Sequence, residues 1–192
     1  MKPTPNSGIL DIAPYVGGKS TAAAGVRVVK LSSNETPLGA SPAAISAYIE
    51  GATTLHRYPD GASAKLREAI GEVYKLPPEQ IICGAGSDEL IGLLVHAYVS
   101  AGDEVLISEH GFLMYKIYAQ SVGANVVATP EKNLKTDVDA LLTAVTAKTK
   151  IVFIANPNNP TGSYISASEM NRLRNGLPEN VILAIHDAYC EY

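Results

Sequence analysis

Cysteine is scarce in this chain: Cys83 and Cys190 are its only two among 192 residues. They lack metal-type spacing, so two reduced thiols are expected, as in a cytoplasmic protein. Net charge is also small. Nineteen acidic against fifteen basic residues leave −4, which offers no general attraction for nucleic acid or for a membrane surface. Any anion site must therefore be built locally. Long apolar runs are missing; the longest candidate, Leu90 to Val99, is interrupted by His96 and falls short of a membrane span. The opening Met1-Lys-Pro-Thr-Pro-Asn-Ser carries no apolar block of a secretory signal. The histidines have no ligand-like neighbours: His56 and His110 read as surface or turn residues and His96 as a helix residue, so no metal site is expected. The remaining composition, 46% apolar and 18% charged, is that of an ordinary soluble protein able to bury a substantial core.

Past Gly61 the pattern alternates between strand-like and helix-like stretches. Ile81–Cys83, Glu104–Ser108, Asn125–Thr129, Lys150–Ala155 and Val181–His186 read as strands. Helical stretches are expected near 87–100, 111–122, 137–147 and 166–176. This βαβα rhythm predicts an α/β fold with a mainly parallel sheet flanked by helices. Residues 1–30 show little periodicity and read as an arm. Ser41-Pro42 opens a short helix to about Glu50, serine as cap and proline in the first turn. Residues 1–50 are thus expected to form an arm and the start of a small domain, and 51–192 part of a larger one.

Two segments carry chemistry. Ile151 to Ala155 is a continuous apolar run, suited to a strand covered on both faces, and it ends in Asn156-Pro-Asn-Asn-Pro-Thr-Gly162. Open α/β sheets hold ligands at such carboxyl ends. A neighbouring strand delivers His186, Asp187 and Tyr189 to the same edge. Earlier, Gly84-Ala-Gly-Ser-Asp-Glu89 joins a strand to a helix whose buried face is expected to carry Leu90, Leu93, Leu94, Ala97 and Tyr98. A glycine turn before a helix offers free N–H groups and the positive end of its dipole, which suits phosphate. The same residues also suit a plain tight turn with Ser87 as cap. A dinucleotide site of the doubly wound type fits less well, because Glu89 stands where a third glycine would be.

Asn156-Pro-Asn-Asn-Pro-Thr-Gly162 followed by Asp187-Ala-Tyr-Cys-Glu-Tyr192 resembles the pyridoxal-phosphate-dependent aminotransferases of fold type I. Leu31-Ser-Ser-Asn-Glu-Thr-Pro-Leu-Gly39, Arg57-Tyr-Pro-Asp-Gly61, the 84–89 loop and Gly111 to Tyr115 narrow the likeness to the histidinol-phosphate aminotransferases. The resemblance runs from Ile12 to Tyr192. It implies a homodimer that binds pyridoxal phosphate and exchanges an amino group between histidinol phosphate and 2-oxoglutarate or glutamate in histidine biosynthesis. An aromatic aminotransferase or a threonine-phosphate decarboxylase would share most of these motifs. A non-catalytic truncated fragment is a further alternative.

The resemblance also implies roles for particular residues. Gly86, Ser87 and Asp88 would form the phosphate cup. Phe112 would stack on the pyridine ring, where an ordinary core phenylalanine is the plainer reading. Asn159 would donate to the ring hydroxyl oxygen, whereas Asn156 and Asn158 suit the capping of their own turn. Tyr189 would sit near the same oxygen. Tyr58 would reach a partner subunit's cofactor phosphate, and Tyr15 and Asn34 would line the substrate side.

The chain departs from the family pattern at one place. An aspartate usually stands three residues before the tyrosine of the last motif, paired with the pyridine nitrogen; here that position is His186 and Asp187 follows it. Alternation along a strand points the two in opposite directions, so either a bulge brings Asp187 to the ring or His186 faces it, the first being favoured. Ten lysines occur, none in a Ser-x-Ser-Lys pattern after the Asp187 segment. The lysine that anchors the cofactor covalently is therefore expected outside this chain, and with it part of the sheet's helical cover. The 192 residues alone are expected to be inactive.

Overall fold

The computed structural model describes residues 3–17 and 29–191. Part of the expected arm, and Tyr192, lie outside the described residues. The chain divides into two compact units, Ala13–Ile81 as one and the chain before and after it as the other. The boundary expected after residue 50 falls inside the first of these.

Within Ala13–Ile81, helix α1 spans Pro42–Ala52. Ser41 caps it, its hydroxyl accepting from the Ala44 N–H at 3.2 Å, and Pro42 supplies the preset φ of the first turn. A second helix, α2, runs over Ala64–Tyr74. The Asp60 carboxylate prepares its start by accepting from the N–H groups of Ala62 and Ala64 at 3.0 and 2.8 Å.

The other unit holds a short 3-10 helix at Ile9–Asp11, then α3, Gly86–Tyr98, followed by β1, Glu104–Ser108, and α4, Leu113–Ser121. Next come β2, Asn125–Thr129, and a small antiparallel hairpin of β3, Glu131–Lys132, and β4, Lys135–Thr136. Helix α5, Val138–Ala144, leads into β5, Thr149–Ala155; α6, Ala167–Gly176, leads into β6, Ile182–His186. The strand expected at Ile81–Cys83 is absent: that stretch is irregular and pairs with no sheet. It is too short and too exposed, with Ile82 75% accessible, to gain from a ladder.

All four strands of the main sheet are parallel, in the order β2-β1-β5-β6. The chain moves outward from β1 to β2, then returns past β1 to β5 and continues to β6. Right-handed crossovers in opposite directions put their helices on opposite faces. On one face Val105, Ile107, Ile151 and Phe153 pack with Ile91 and Val95 of α3, with Val99 just after it, and with Tyr115 and Ala119 of α4. On the other, Leu106, Val152 and Ile154 pack with Val138 and Leu141 of α5 and Leu173 of α6. Strand alternation assigns each residue to its face. Every fully buried side chain of this size contributes about 1.5–3 kcal/mol.

The buried stripe of α3 differs from the one expected. Leu93 and Tyr98 are more than half exposed, while Ile91, Gly92 and Val95 are buried. This helix is apolar nearly all round, so its periodicity allows two faces, and contact with the sheet and with Tyr118 of α4 selects between them. A side chain on Gly92 would come within 2.7 Å of the Tyr118 ring.

Candidate active site

The strand order reverses between β1 and β5, and their carboxyl ends flank the crevice where doubly wound sheets hold ligands. The three asparagines after β5 do different things there. Asn156 closes its own loop: its carbonyl accepts from the Ile165 N–H at 2.9 Å and its amide donates to the Ile165 carbonyl at 3.2 Å. Asn158, 5% exposed, donates to the His110 carbonyl at 3.1 Å and to Thr161 Oγ1 at 2.8 Å, tying the β5 loop to the β1 loop across the crevice. Asn159 is half-buried, and among the described residues no partner holds its side chain. The bonds Asn156–Pro157 and Asn159–Pro160 are both cis.

The loop after β1 is fixed from the hairpin. Glu131, whose side chain is 2% exposed, accepts from the Ser108 hydroxyl at 2.6 Å and from the His110 N–H at 3.0 Å, and its second oxygen lies 3.0 Å from His110 Nδ1. Burial pushes this carboxyl up, but the three hydrogen bonds outweigh it and hold the group below the usual glutamate value.

At the start of α3, Gly86 has φ +75°, a conformation that favours glycine, and Ser87 and Asp88 are exposed. The first-turn N–H groups have no partner within the helix. Glu89 reaches back so that its Oε2 accepts from the Ala85 N–H at 2.6 Å, and Asp88 accepts from the Tyr118 hydroxyl at 3.0 Å. The anion-attracting turn is therefore bordered by two carboxylates.

His186 ends β6 on the α3–α4 face. The β5–β6 ladder pairs Ile151 through Ala155 one to one with Ile182 through His186. The bulge expected to swing Asp187 toward this face is absent, because the unbroken register preserves the alternation. The His186 ring lies 5.4 Å from Phe112, which in turn packs edge-on to Tyr115 at 5.7 Å. Tyr115 stacks on Phe153 with centroids 4.6 Å apart, and its hydroxyl is 3.0 Å from His186 Nδ1. His186 Nε2 is buried without a partner among the described residues. The His186 side chain is among those lining a cavity of about 190 Å³, with Ser87, Leu90, Leu94, Phe153 and Ala184. Burial lowers the pKa of His186, with the neighbouring Asp187 charge opposing, so the ring is neutral near pH 7.

Asp187 is exposed and, with Tyr189, lines a different cleft of about 590 Å³, bounded by Asn156, Pro157, Tyr164 and Met170 beside α6. The fold thus gathers Ser87, Phe112 and His186 on one side and Asp187 and Tyr189 on the other. Tyr15, Asn34 and Tyr58 belong to the other unit; Asn34 has φ +53° and Tyr58 is 97% exposed. The sequence pointed to no role for Tyr115 or Glu131, and gave Glu89 only that of complementing the helix dipole. Only Tyr115 had a signal, three residues after Phe112 on the apolar side of its helix.

Among the described residues no three or more His, Cys, Asp or Glu side chains cluster as metal ligands, and no helix is long and apolar enough to cross a membrane. The profile of the class I and II aminotransferases matches residues 26–192. The chain is 58% identical over 192 residues to a histidinol-phosphate aminotransferase of Rhodopseudomonas palustris strain TIE-1, covering 100% of this chain and 53% of that relative. It is 55% identical over 190 residues to one of Rhodospirillum centenum, covering 99% and 52%. The chain therefore spans about half the length of the curated relatives it matches. A crystal structure of histidinol-phosphate aminotransferase from Sinorhizobium meliloti in complex with pyridoxal-5'-phosphate superposes with a TM-score of 0.80 at 31% identity, over 83% of this chain and 44% of that one. A second, from Clostridium acetobutylicum, gives 0.71 at 27%, over 83% and 46%. The parallel sheet with helices on both faces is the fold type I transferase architecture, and the chain belongs to the class I and II aminotransferase family.

Proposed function

We propose that the protein acts as a pyridoxal-phosphate-dependent aminotransferase moving the amino group of histidinol phosphate to 2-oxoglutarate. The likeness to histidinol-phosphate aminotransferases along the whole of this chain carries the reading. The residues on the α3–α4 face suit the cofactor. A free helix turn with a serine serves a phosphate, an aromatic ring serves a flat heterocycle, and a histidine with a buried, unpartnered ring nitrogen lines a cavity between them.

When bound, pyridoxal phosphate supplies a reversible amino-group carrier whose ring withdraws electrons from the substrate. The protein's own residues bind and orient it. Gly86, Ser87 and Asp88 hold the phosphate by backbone N–H groups and the serine hydroxyl. Phe112 covers one face of the ring, and His186 meets the ring nitrogen. Asn159, whose amide is not spent on its own turn, donates to the ring hydroxyl oxygen, while Tyr189 lines the separate cleft beside α6. Tyr58 reaches the phosphate held by a partner subunit in a homodimer, while Tyr15 and Asn34 line the substrate side. Asp187 stays outside the ring's contacts. The enzyme works in the cytoplasm.

The test is glutamate formation from histidinol phosphate and 2-oxoglutarate by the full-length enzyme, followed beside the absorbance of bound cofactor. Turnover with the pyridoxal band present is expected. A protein that binds the cofactor but leaves histidinol phosphate untouched would overturn the substrate assignment; one without the band would overturn both.

A further inference from the structure

We infer that Tyr115 fixes His186 as the Nε2–H tautomer, so that the ring keeps a hydrogen-bond donor at its unpartnered Nε2 and selects a ligand with an acceptor there. Tyr115 is 1% exposed, so its hydroxyl hydrogen needs an acceptor inside the protein. Among the described residues the only partner of that hydroxyl is His186 Nδ1, at 3.0 Å. If Nδ1 carried a hydrogen, it would donate to the phenol oxygen, and the phenol's own hydrogen would be left without an acceptor. That arrangement costs on the order of a lost hydrogen bond, and nothing in the surroundings compensates it.

The phenol therefore donates, Nδ1 is bare, and the neutral ring carries its hydrogen on Nε2. Burial lowers the ring's pKa and so disfavours the form with protons on both nitrogens. The face-to-face stack of Tyr115 on Phe153, 5° from parallel, holds the phenol in place, and the edge contact with Phe112 closes its other side. Nε2 is the one buried side-chain polar atom left without a partner among the described residues, which suits a position reserved for a ligand.

This deepens the assignment of pyridoxal phosphate and rests on it for the ligand's identity. A carboxylate at this position would hold a proton on the ring nitrogen. The tautomer set by Tyr115 instead offers a hydrogen to that nitrogen, which must then be unprotonated. Tyr115 is a positioning residue, acting through His186 without reaching the ligand.

Nitrogen-15 spectra of ring-labelled histidine decide the question in the protein before any cofactor is added, with the His186 signal identified by its loss in His186→Gln. A protonated Nε2 and bare Nδ1 are expected. In Tyr115→Phe, which retains the stack on Phe153, the two tautomers should mix. A protonated Nδ1 in the parent, or a tautomer unmoved by Tyr115→Phe, overturns the inference. With ring-labelled pyridoxal phosphate added to the full-length enzyme, the nitrogen should report as unprotonated, and the analogue with C–H in place of that nitrogen should bind about tenfold more weakly, the loss of one hydrogen bond. A protonated ring nitrogen sinks the inference but leaves the cofactor reading standing. Absence of binding with the Nε2–H tautomer intact sinks the cofactor reading and leaves the tautomer.

Discussion

The Glu131 carboxylate accepts the Ser108 hydroxyl hydrogen at 2.6 Å and so ties a short hairpin to the carboxyl end of β1. The same carboxylate also takes the His110 N–H, and the His110 carbonyl in turn receives the amide of Asn158. One buried group thereby organises the crevice edge on which the binding site depends.

Removing it should be costly. Glu131→Ala leaves the Ser108 hydroxyl and the His110 N–H without their acceptor and is expected to destabilise by about 2–3 kcal/mol in denaturant unfolding. Glu131→Gln keeps one acceptor oxygen and should cost about 1 kcal/mol. The pH dependence separates the charge from the packing. Because folding lowers this carboxyl's pKa from its ordinary 4.5, its stabilisation is complete above that value and fades as pH falls through the lower folded one. The parent should show that acid-side slope and Glu131→Gln should lack this share of it. Equal slopes would mean that the carboxylate is not held as described.

The three asparagines of the β5 loop should separate in mutagenesis. Asn156→Ala and Asn158→Ala each break side-chain bonds to partly buried groups and are expected to cost about 1–3 kcal/mol of stability. Asn159→Ala breaks none among the described residues and should unfold within about 0.5 kcal/mol of the parent. Its effect should fall on pyridoxal phosphate affinity, about tenfold weaker by fluorescence titration of the full-length enzyme. A stability loss at Asn159 as large as that at Asn158 would assign it to the turn instead.

Glu89 offers a test at the phosphate end. Its carboxylate holds the Ala85 N–H at 2.6 Å and places negative charge where an incoming phosphate must approach. Glu89→Gln retains an acceptor but removes the charge. Phosphate-bearing ligands should then bind about two- to fivefold more tightly at low ionic strength, with the gain shrinking as salt screens it. Weaker binding at every salt concentration would show that the carboxylate organises the loop.

Much of this architecture was legible because the signals were local and unopposed. The strands Glu104–Ser108 and Asn125–Thr129 lie where apolar and β-branched runs put them. The starts of α1 and α6 follow their capping serines, Ser41 and Ser166. The hairpin Glu131–Thr136 was invisible because its turn uses Asn133 and Leu134 at φ +55° and +59°, and leucine is not a residue that announces such a turn. The buried stripe of α3 was misread because an apolar surface on all sides leaves the choice of face to tertiary contact. That Asn156 and Asn158 serve their own turn was anticipated from turn chemistry, but the tie from Asn158 to the distant His110 carbonyl was not. Glu131 and Tyr115 were missed because their partners stand 23 and 71 residues away in sequence.

His186 itself gives the last prediction. Its pKa is lowered by burial, so the unfolded chain takes up a proton below about 6.5 that the folded chain resists. Stability should therefore decline as pH falls from 6.5 toward the folded value, and His186→Gln should remove that part of the decline. His186→Asp goes further. It puts a carboxylate beside the Tyr115 hydroxyl, which can donate to it, but with its other oxygen in an otherwise apolar cavity. In the absence of ligand the substitution should cost about 1–3 kcal/mol. Pyridoxal phosphate should restore much of that loss, because a protonated ring nitrogen gives the carboxylate the partner it lacks. Thermal unfolding of the full-length variant with and without pyridoxal phosphate measures both effects. A cofactor-induced rise in Tm no larger than the parent's would mean that position 186 does not meet the ring nitrogen.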